Sequence, residues 1–289
     1  MRSFSALLFP GLLLFAAAAR PDLHHTVAND YQDLVNAERA FAAYSRDHNV
    51  KDAFAKFLSD AYIFRQGKFV LGGPFYAAQP ERPGRLTWRP AYARVAASGN
   101  WGYTTGPSEY HAAATTDPPA GFGDFVSIWQ KTPAGEWRVF FDGGTTHAAP
   151  TKPAPEISPS GPTASQPTAP TDTAEARNSL RQVEAAFAKR ALGSLRQAYA
   201  PVLPANTELR LLREGAETYL GAAAKTLANA STQAVSFRPF RAGVASSGEL
   251  GYTMGYLDFK QQPGHYLRIW RRQGPQWVLE LELLAAELK

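Results

Sequence analysis

Val95-Ala96-Ala97-Ser98-Gly99-Asn100-Trp101-Gly102-Tyr103-Thr104-Thr105-Gly106 is answered, without a gap, by Val244-Ala245-Ser246-Ser247-Gly248-Glu249-Leu250-Gly251-Tyr252-Thr253-Met254-Gly255. The match extends on both sides. Leu86-Thr87-Trp88-Arg89-Pro90 precedes the first string, and Val235-Ser236-Phe237-Arg238-Pro239 precedes the second. Ile128-Trp129 and Trp137 follow the first as Ile269-Trp270 and Trp277 follow the second. Farther upstream, Arg65-Gln66-Gly67 answers Arg213-Glu214-Gly215. A shared order with nearly constant offsets reads as one domain written twice. Two repeats do not make a solenoid, so each copy is expected to be a complete domain.

Between the copies runs a stretch holding Pro150, Pro153, Pro155, Pro159, Pro162, Pro167 and Pro170, interleaved with Thr, Ser and Ala. Such a segment buries no core and reads as a semi-extended spacer. The expected organisation is a first domain over 29–147, a linker over 148–174 and a second domain over 175–289.

Each copy reads as helices followed by strands. Leu34 and Phe41 share a helical face, as do Leu180, Val183 and Phe187. Asn29 with Gln32 and Asp172 with Glu175 are capping pairs ahead of those helices. Val50, Ala53, Phe54, Phe57 and Leu58 mark a second helix; its partner uses Leu192, Leu195 and Tyr199. Strand-like runs come next, at 62–65, 86–95, 101–110, 125–131 and 137–142. Helices first and antiparallel strands afterwards argue an α+β class. Val126 and Ile128 alternate with Phe125 and Trp129, and Leu267 and Ile269 with Tyr266 and Trp270. This strand is apolar on both sides, so one side is expected against helices and the other against a partner surface.

The motif string resembles the SnoaL-like branch of the nuclear transport factor 2-like (cone) superfamily, which includes ketosteroid isomerase, scytalone dehydratase and polyketide cyclases. The likeness is to uncharacterised, often exported members. It covers 29–147 and, more loosely, 175–289, where Phe237 stands in for the Trp. The resemblance implies a six-stranded, strongly curved, mostly antiparallel sheet wrapped around helices in each of two tandem cone-shaped domains. A mostly apolar pocket lies at the open end. It also implies dimerisation through sheets, either between chains or between the two copies as an intramolecular pseudo-dimer. Members catalyse proton transfer, bind small molecules or act as scaffolds, so fold alone leaves function open.

Proton transfer in such a pocket needs a carboxylate or His base and a neutral oxyanion donor in apolar surroundings. Glu109 and His111 are the candidate bases, with Tyr103 as donor. His111 has Lys260 at its partner position, so the copies share no His-based mechanism. Tyr103 and Tyr252 read as packing residues ahead of catalytic donors. The pocket candidates are Arg65, Trp88, Tyr103 and Trp129 in the first copy, and Phe237, Tyr252, Asp258 and Trp270 in the second. The tryptophans double as core residues, and Arg65 reads either as an anion clamp or as a solvated turn residue. Asp142 and Glu282 alternate out of phase with Trp137, Val139 and Phe141, and with Trp277, Leu279 and Leu281, which sets them opposite the apolar face, toward solvent.

Other chemistries are excluded by composition. There is no Cys, and the 6 His show no paired ligand spacing, so neither a zinc centre nor another cofactor is expected. Gly121-Phe122-Gly123 reads as a loop between strands and not as a dinucleotide fingerprint. A net charge of +5, scattered along 289 residues, is no nucleic-acid footprint. Arg2, the apolar run from Ala6 to Phe15 and Ala16-Ala17-Ala18-Ala19 read as a signal peptide over 1–19. Its removal leaves no segment long enough to span a bilayer, which takes roughly 20 apolar residues. The sequence thus favours an exported, periplasmic or extracellular tandem protein that binds a small apolar or amphipathic molecule, or pairs structurally, without catalysis. The alternative is an isomerase, dehydratase or cyclase active in the first domain.

Overall fold

The computed structural model describes residues 27–159, 172–205 and 208–287. The expected signal peptide and the linker segment 160–171 lie outside the described residues. The first unit opens with α1 (Val27–Asp47) and α2 (Val50–Phe57), followed by β1 (Tyr62–Arg65), β2 (Lys68–Leu71) and α3 (Gly72–Ala77). It closes with β3 (Arg85–Trp88), β4 (Tyr92–Val95), β5 (Trp101–His111), β6 (Gly121–Lys131) and β7 (Trp137–His147). The second unit repeats the order: α4 (Thr173–Ala191), α5 (Leu195–Tyr199), β8 (Arg210–Arg213), β9 (Ala216–Leu220) and α6 (Gly221–Ala230). β10 (Ser236–Val244), β11 (Leu250–Phe259), β12 (Gln262–Gln273) and β13 (Gln276–Ala285) complete it.

The two sheets have one topology. The first runs β2-β1-β7-β6-β5-β3 with β4 also on β5; the second runs β9-β8-β13-β12-β11-β10. β1 on β7 and β8 on β13 are the parallel pairings; the remaining pairs are antiparallel. The arrangement is α+β and is consistent with a cone fold. β3 and β4 correspond to the continuous β10. Pro90, which has no N–H to donate, falls where the first strand breaks, and Pro239 sits at a bulge in β10.

Local chemistry explains the helix starts. Asp172 caps α4 by accepting from the Ala174 and Glu175 amides at 2.7 and 3.3 Å. Asn49 and Ser194 play matching roles for α2 and α5, accepting from Asp52 N and Gln197 N. Two expectations are corrected here. α1 already includes Val27 and Ala28, so Asn29 and Gln32 lie within the helix and do not cap it. Leu192 is 62% exposed and caps the end of α4, because Ser194 starts a new helix two residues later.

Each sheet has two buried faces. Toward the helices, Leu34, Phe41, Phe54, Trp129 and Val139 form the first core, and Leu180, Phe187, Tyr199, Trp270 and Leu279 the second. On the opposite face the sheets meet each other. Trp101, Tyr103, Val126, Ile128 and Phe141 of the first share one buried cluster with Leu250, Tyr252, Leu267, Ile269 and Leu281 of the second. Apolar alternation on both sides of β6 and β12 is therefore used twice, once per face.

The contacts between sheets are reciprocal, as they are across a two-fold axis. In the matched hairpins, Ala97 N donates to Glu249 at 2.7 Å, while Asn100 Nδ2 donates to Ser246 at 3.2 Å. Ser98 N meets Ser247 Oγ at 3.1 Å between them. Polar and apolar versions of one contact also face each other: Tyr103 OH donates to Glu280 at 2.5 Å, whereas Tyr252 packs on Phe140 with ring centroids 5.1 Å apart. Buried Arg94 and Arg271 hold Glu280 at 2.6 and 2.9 Å. The described linker residues are pinned to both units: Arg89 donates to the Ala154 and Pro155 carbonyls and Tyr31 to that of Ser158, while Thr151 N and Oγ1 donate to Glu217 of β9 at 2.9 Å.

Strand parity misplaces Asp142 and Glu282 in the sequence reading. A bulge interrupts the β6–β7 register between Ile128 and Trp129, opposite Val139 and Phe141; another interrupts β12–β13 between Ile269 and Trp270, opposite Leu279 and Leu281. The extra residues, Phe140 and Glu280, shift the alternation by one. Trp137 and Val139 thus face the helices while Phe141 faces the other sheet, and Asp142 and Glu282 return to the helix side. Glu282 is fully buried, and Asp142 is half-buried on the helix side.

Candidate functional site

The helix-side row across the first sheet reads Thr104, Ser127, Asp142 on β5, β6 and β7, and the second sheet has Thr253, Arg268, Glu282 in the same places. Above each row a helix contributes one carboxylate. Glu38 follows Leu34 by one turn and precedes Phe41 on α1; Glu184 has the same relation to Leu180 and Phe187 on α4. Both glutamates are buried.

In the second unit this constellation is closed. Arg268 donates from Nη1 to Glu184 at 2.6 Å and from Nε to Glu282 at 2.5 Å. Arg213 adds a third bond, Nη2 to Glu282 at 2.6 Å, and Tyr199 OH also donates to Glu282. The Arg268 guanidinium carbon lies 3.9, 4.2 and 4.4 Å from the ring centres of Phe187, Phe237 and Tyr266. Burial opposes charge on Glu282, but Arg268 and Arg213 outweigh it and hold the carboxyl below its ordinary range. The network sets two carboxylates against two guanidiniums inside an aromatic wall, and leaves Arg268 Nη2 and the Tyr266 hydroxyl buried without a hydrogen-bond partner among the described residues.

The first unit keeps the carboxylates and loses the cation. Ser127 stands where Arg268 does, and Asp142 where Glu282 does. Glu38 accepts from Trp88 Nε1 at 2.6 Å, Thr104 Oγ1 at 2.5 Å and Trp129 Nε1 at 2.9 Å. Asp142 accepts from Ser127 Oγ at 2.9 Å. Among the described residues, no Lys, Arg or His lies within ion-pair distance of either carboxylate. Burial raises Glu38 above its ordinary range, against the pull of its hydrogen bonds. Burial and the neighbouring Glu38 charge push Asp142 up to about 7, with Ser127 and Arg65 pulling the other way. Arg65 is turned outward, donating to Tyr76 OH at 2.5 Å. That pair borders a surface cavity of about 400 Å³. A polar pair set among Phe41, Trp88, Phe125 and Trp129 can exchange a proton at neutral pH.

The residues singled out from sequence scatter around this point. Trp88 and Trp129 bind Glu38, and Arg65 lines the surface cavity beside Tyr76. Trp270 donates to Thr253 and Phe237 covers Arg268, so both belong to the closed network. Tyr103 and Tyr252 lie between the sheets, on the face away from the carboxylates. Asp258 is exposed and accepts from the Gln261 amide in a turn. His111 is buried at its strand end, Nδ1 at 2.8 Å from the Asp117 carbonyl; Glu109 is exposed, its carboxylate 3.7 Å from His111 Nε2. Glu109 instead lines a cleft of about 300 Å³ between the units, with Asp124, His147, Arg210 and the linker prolines. Glu109 and His111 therefore share one end of β5, while Tyr103 is on another face. Gly121-Phe122-Gly123 begins β6 and is not a loop.

Sequence reading missed Glu38, Ser127, Glu184 and Arg268. A signal was present: a glutamate on the apolar stripe of a helix, at the same step in both halves. Among the described residues no group of three or more His, Cys, Asp or Glu is placed to hold a metal ion, and no helix is long and apolar enough to cross a membrane.

No family model matches this chain, and no curated protein matches it. Solved structures do resemble it. An NTF-2 like protein of unknown function from Shewanella oneidensis MR-1 is 18% identical over 38% of this chain and 98% of its own, with a TM-score of 0.31. A hexachlorocyclohexane dehydrochlorinase (LinA) type 2 is 14% identical over 39% of this chain and 88% of its own, with a TM-score of 0.30. An Ntf2 like protein involved in plasmid conjugation is 10% identical over 71% of this chain and 79% of its own, with a TM-score of 0.25. At such identities and scores the functional reading rests on this chain's own side chains.

Proposed function

We propose that this is an exported protein made of two copies of a cone-type domain, over 29–147 and 175–289, that binds a small amphipathic molecule in the first copy. The second copy serves as structural mate, its sheet covering the first as a partner subunit would. One observation carries the reading: equivalent carboxylates are neutralised by Arg268 in the second unit and left without a cation in the first. Burying such a pair costs stability with no structural return, which is the usual mark of a site kept for a ligand. The experiment is native mass spectrometry and hydrophobic-dye titration of the full chain, beside Ser127→Arg, which rebuilds the closed network. Saturable binding to the parent that is lost in the folded variant supports the reading. Equal binding by both sinks it. Light scattering should give the mass of one chain, since each sheet already covers the other. Export is checked by the mass of the secreted chain, expected to start near Arg20.

A second reading has its own observation. Asp142, held near neutrality beside rings, has the properties of a general base or acid. On this reading the first unit is an isomerase, dehydratase or cyclase with Asp142 moving the proton and Ser127 orienting it. Turnover that disappears in Asp142→Asn while dye binding persists would select this reading over plain binding.

A further inference from the structure

We propose that the ligand of the first unit carries a guanidinium or amidinium head, seated between Glu38 and Asp142 where Arg268 sits in the second unit. This inference rests on the site proposed above and names the chemistry it selects. The protein supplies its own reference complex. In the second unit a planar cation is gripped edge-on by two carboxylates, at 2.6 and 2.5 Å, and faced by three rings. Planarity matters, because a guanidinium offers parallel N–H donors that match two carboxylates, which an ammonium does not.

The first unit preserves what such a cation needs. Phe41, Trp88 and Phe125 replace Phe187, Phe237 and Tyr266, so each ring position remains a ring, with Trp the strongest cation–π partner of the set. Phe41 and Trp88 are in edge contact at 4.8 Å, and Trp88 and Phe125 lie 6.4 Å apart. Glu38 is fixed by its three hydrogen bonds, so its orientation needs no adjustment. Asp142 takes one bond, from Ser127, and is half-buried rather than sealed. Arg to Ser at 127 and Glu to Asp at 142 both shorten the side chain that stands at this position. The other charged or titratable groups in electrostatic reach of Asp142 are Glu38 on α1, Arg65 on β1 and Tyr76 on α3. Arg65 is engaged by Tyr76 and directed outward, so it does not pair with Asp142.

The probe is benzamidine, an amidinium on an apolar ring, titrated calorimetrically into the full chain at pH 8. Benzamide, its neutral counterpart, and benzoate, an anion, are run beside it. Benzamidine should bind the parent, with benzamide and benzoate weaker by roughly ten-fold or more. Asp142→Asn should weaken benzamidine by a similar factor, and Ser127→Arg should abolish it, since the new guanidinium occupies the seat. Benzamide binding as tightly as benzamidine, with both lost in Ser127→Arg, would overturn the cation preference while leaving the pocket intact. Benzamidine binding unchanged in both variants would place the cation elsewhere and overturn the inference. Absence of benzamidine binding to the parent overturns it as well, and the dye titration then judges the pocket separately. Should Ser127→Arg not fold, Asp142→Asn decides the matter alone.

Discussion

A single residue pair, Ser127 against Arg268, separates the two halves of this protein chemically. Each faces a carboxylate across the sheet and another on the helix above. With arginine the cluster is neutral and closed; with serine it is acidic and open. Removing Arg268 should therefore be severe: Arg268→Ala leaves Glu184 buried without its cation and should cost about 3–5 kcal/mol, read by urea unfolding. The first unit should respond in the opposite sense. Asp142 moves from an ordinary 3.8 to about 7 on folding, so the folded chain binds the extra proton. That contribution favours folding at low pH and is lost as pH rises from about 4 through 7. Asp142→Asn, which never ionises, should raise the melting temperature over the parent at pH 8, and the gap should close near pH 5.

At the scale of elements, two devices set the site: a bulge and a glycine. The bulges at Phe140 and Glu280 turn Asp142 and Glu282 toward the helices. Nothing in the local composition announces them, since Trp137, Val139 and Phe141 alternate perfectly on paper. The glycine is the one in the shared Gly-Tyr-Thr string. A Cβ on Gly102 would lie 2.6 Å from the Arg94 carbonyl and 2.7 Å from Leu34 Cδ2; Gly251 meets Gly243 and Leu180 at 2.8 Å in the second unit. The glycine thus lets α1 seat Leu34, and with it Glu38, close on β5. Gly102→Ala should destabilise by about 1–3 kcal/mol through overpacking, measured by chemical denaturation.

Over the whole molecule, stability is shared between two helix-side cores and the layer joining the sheets. That layer is aromatic and charged together: His265 stacks on Phe64 with centroids 4.2 Å apart, near Phe69 and Tyr256. Burial, with Arg65 nearby, drives His265 from 6.5 down to about 3. Its neutral form is therefore required between the units. Stability from that group is fully present above about 6.5 and is lost as pH falls toward 3. His265→Phe should flatten the acid side of the melting-temperature profile between those values. Glu280, held below its ordinary range because Arg94, Tyr103 and Arg271 outweigh burial, loses its contribution in the same direction.

Periodicity and matched spacing were enough to establish the repeating order of helices and strands and the two-faced burial of β6 and β12. These follow from residues recurring at fixed steps, which are local or pairwise properties of the chain. Tyr103 and Tyr252, shared and polar-tipped, were equally visible, but which face they serve was not. It took the packed fold to show that they join the sheets, that the bulges return Asp142 and Glu282 to the interior, and that Glu38 meets Ser127 where Glu184 meets Arg268. The physical reason is that charge compensation in a core is made between elements far apart in the chain. A buried carboxylate declares itself as paired or vacant only once the helix above it and the strands below it are in contact.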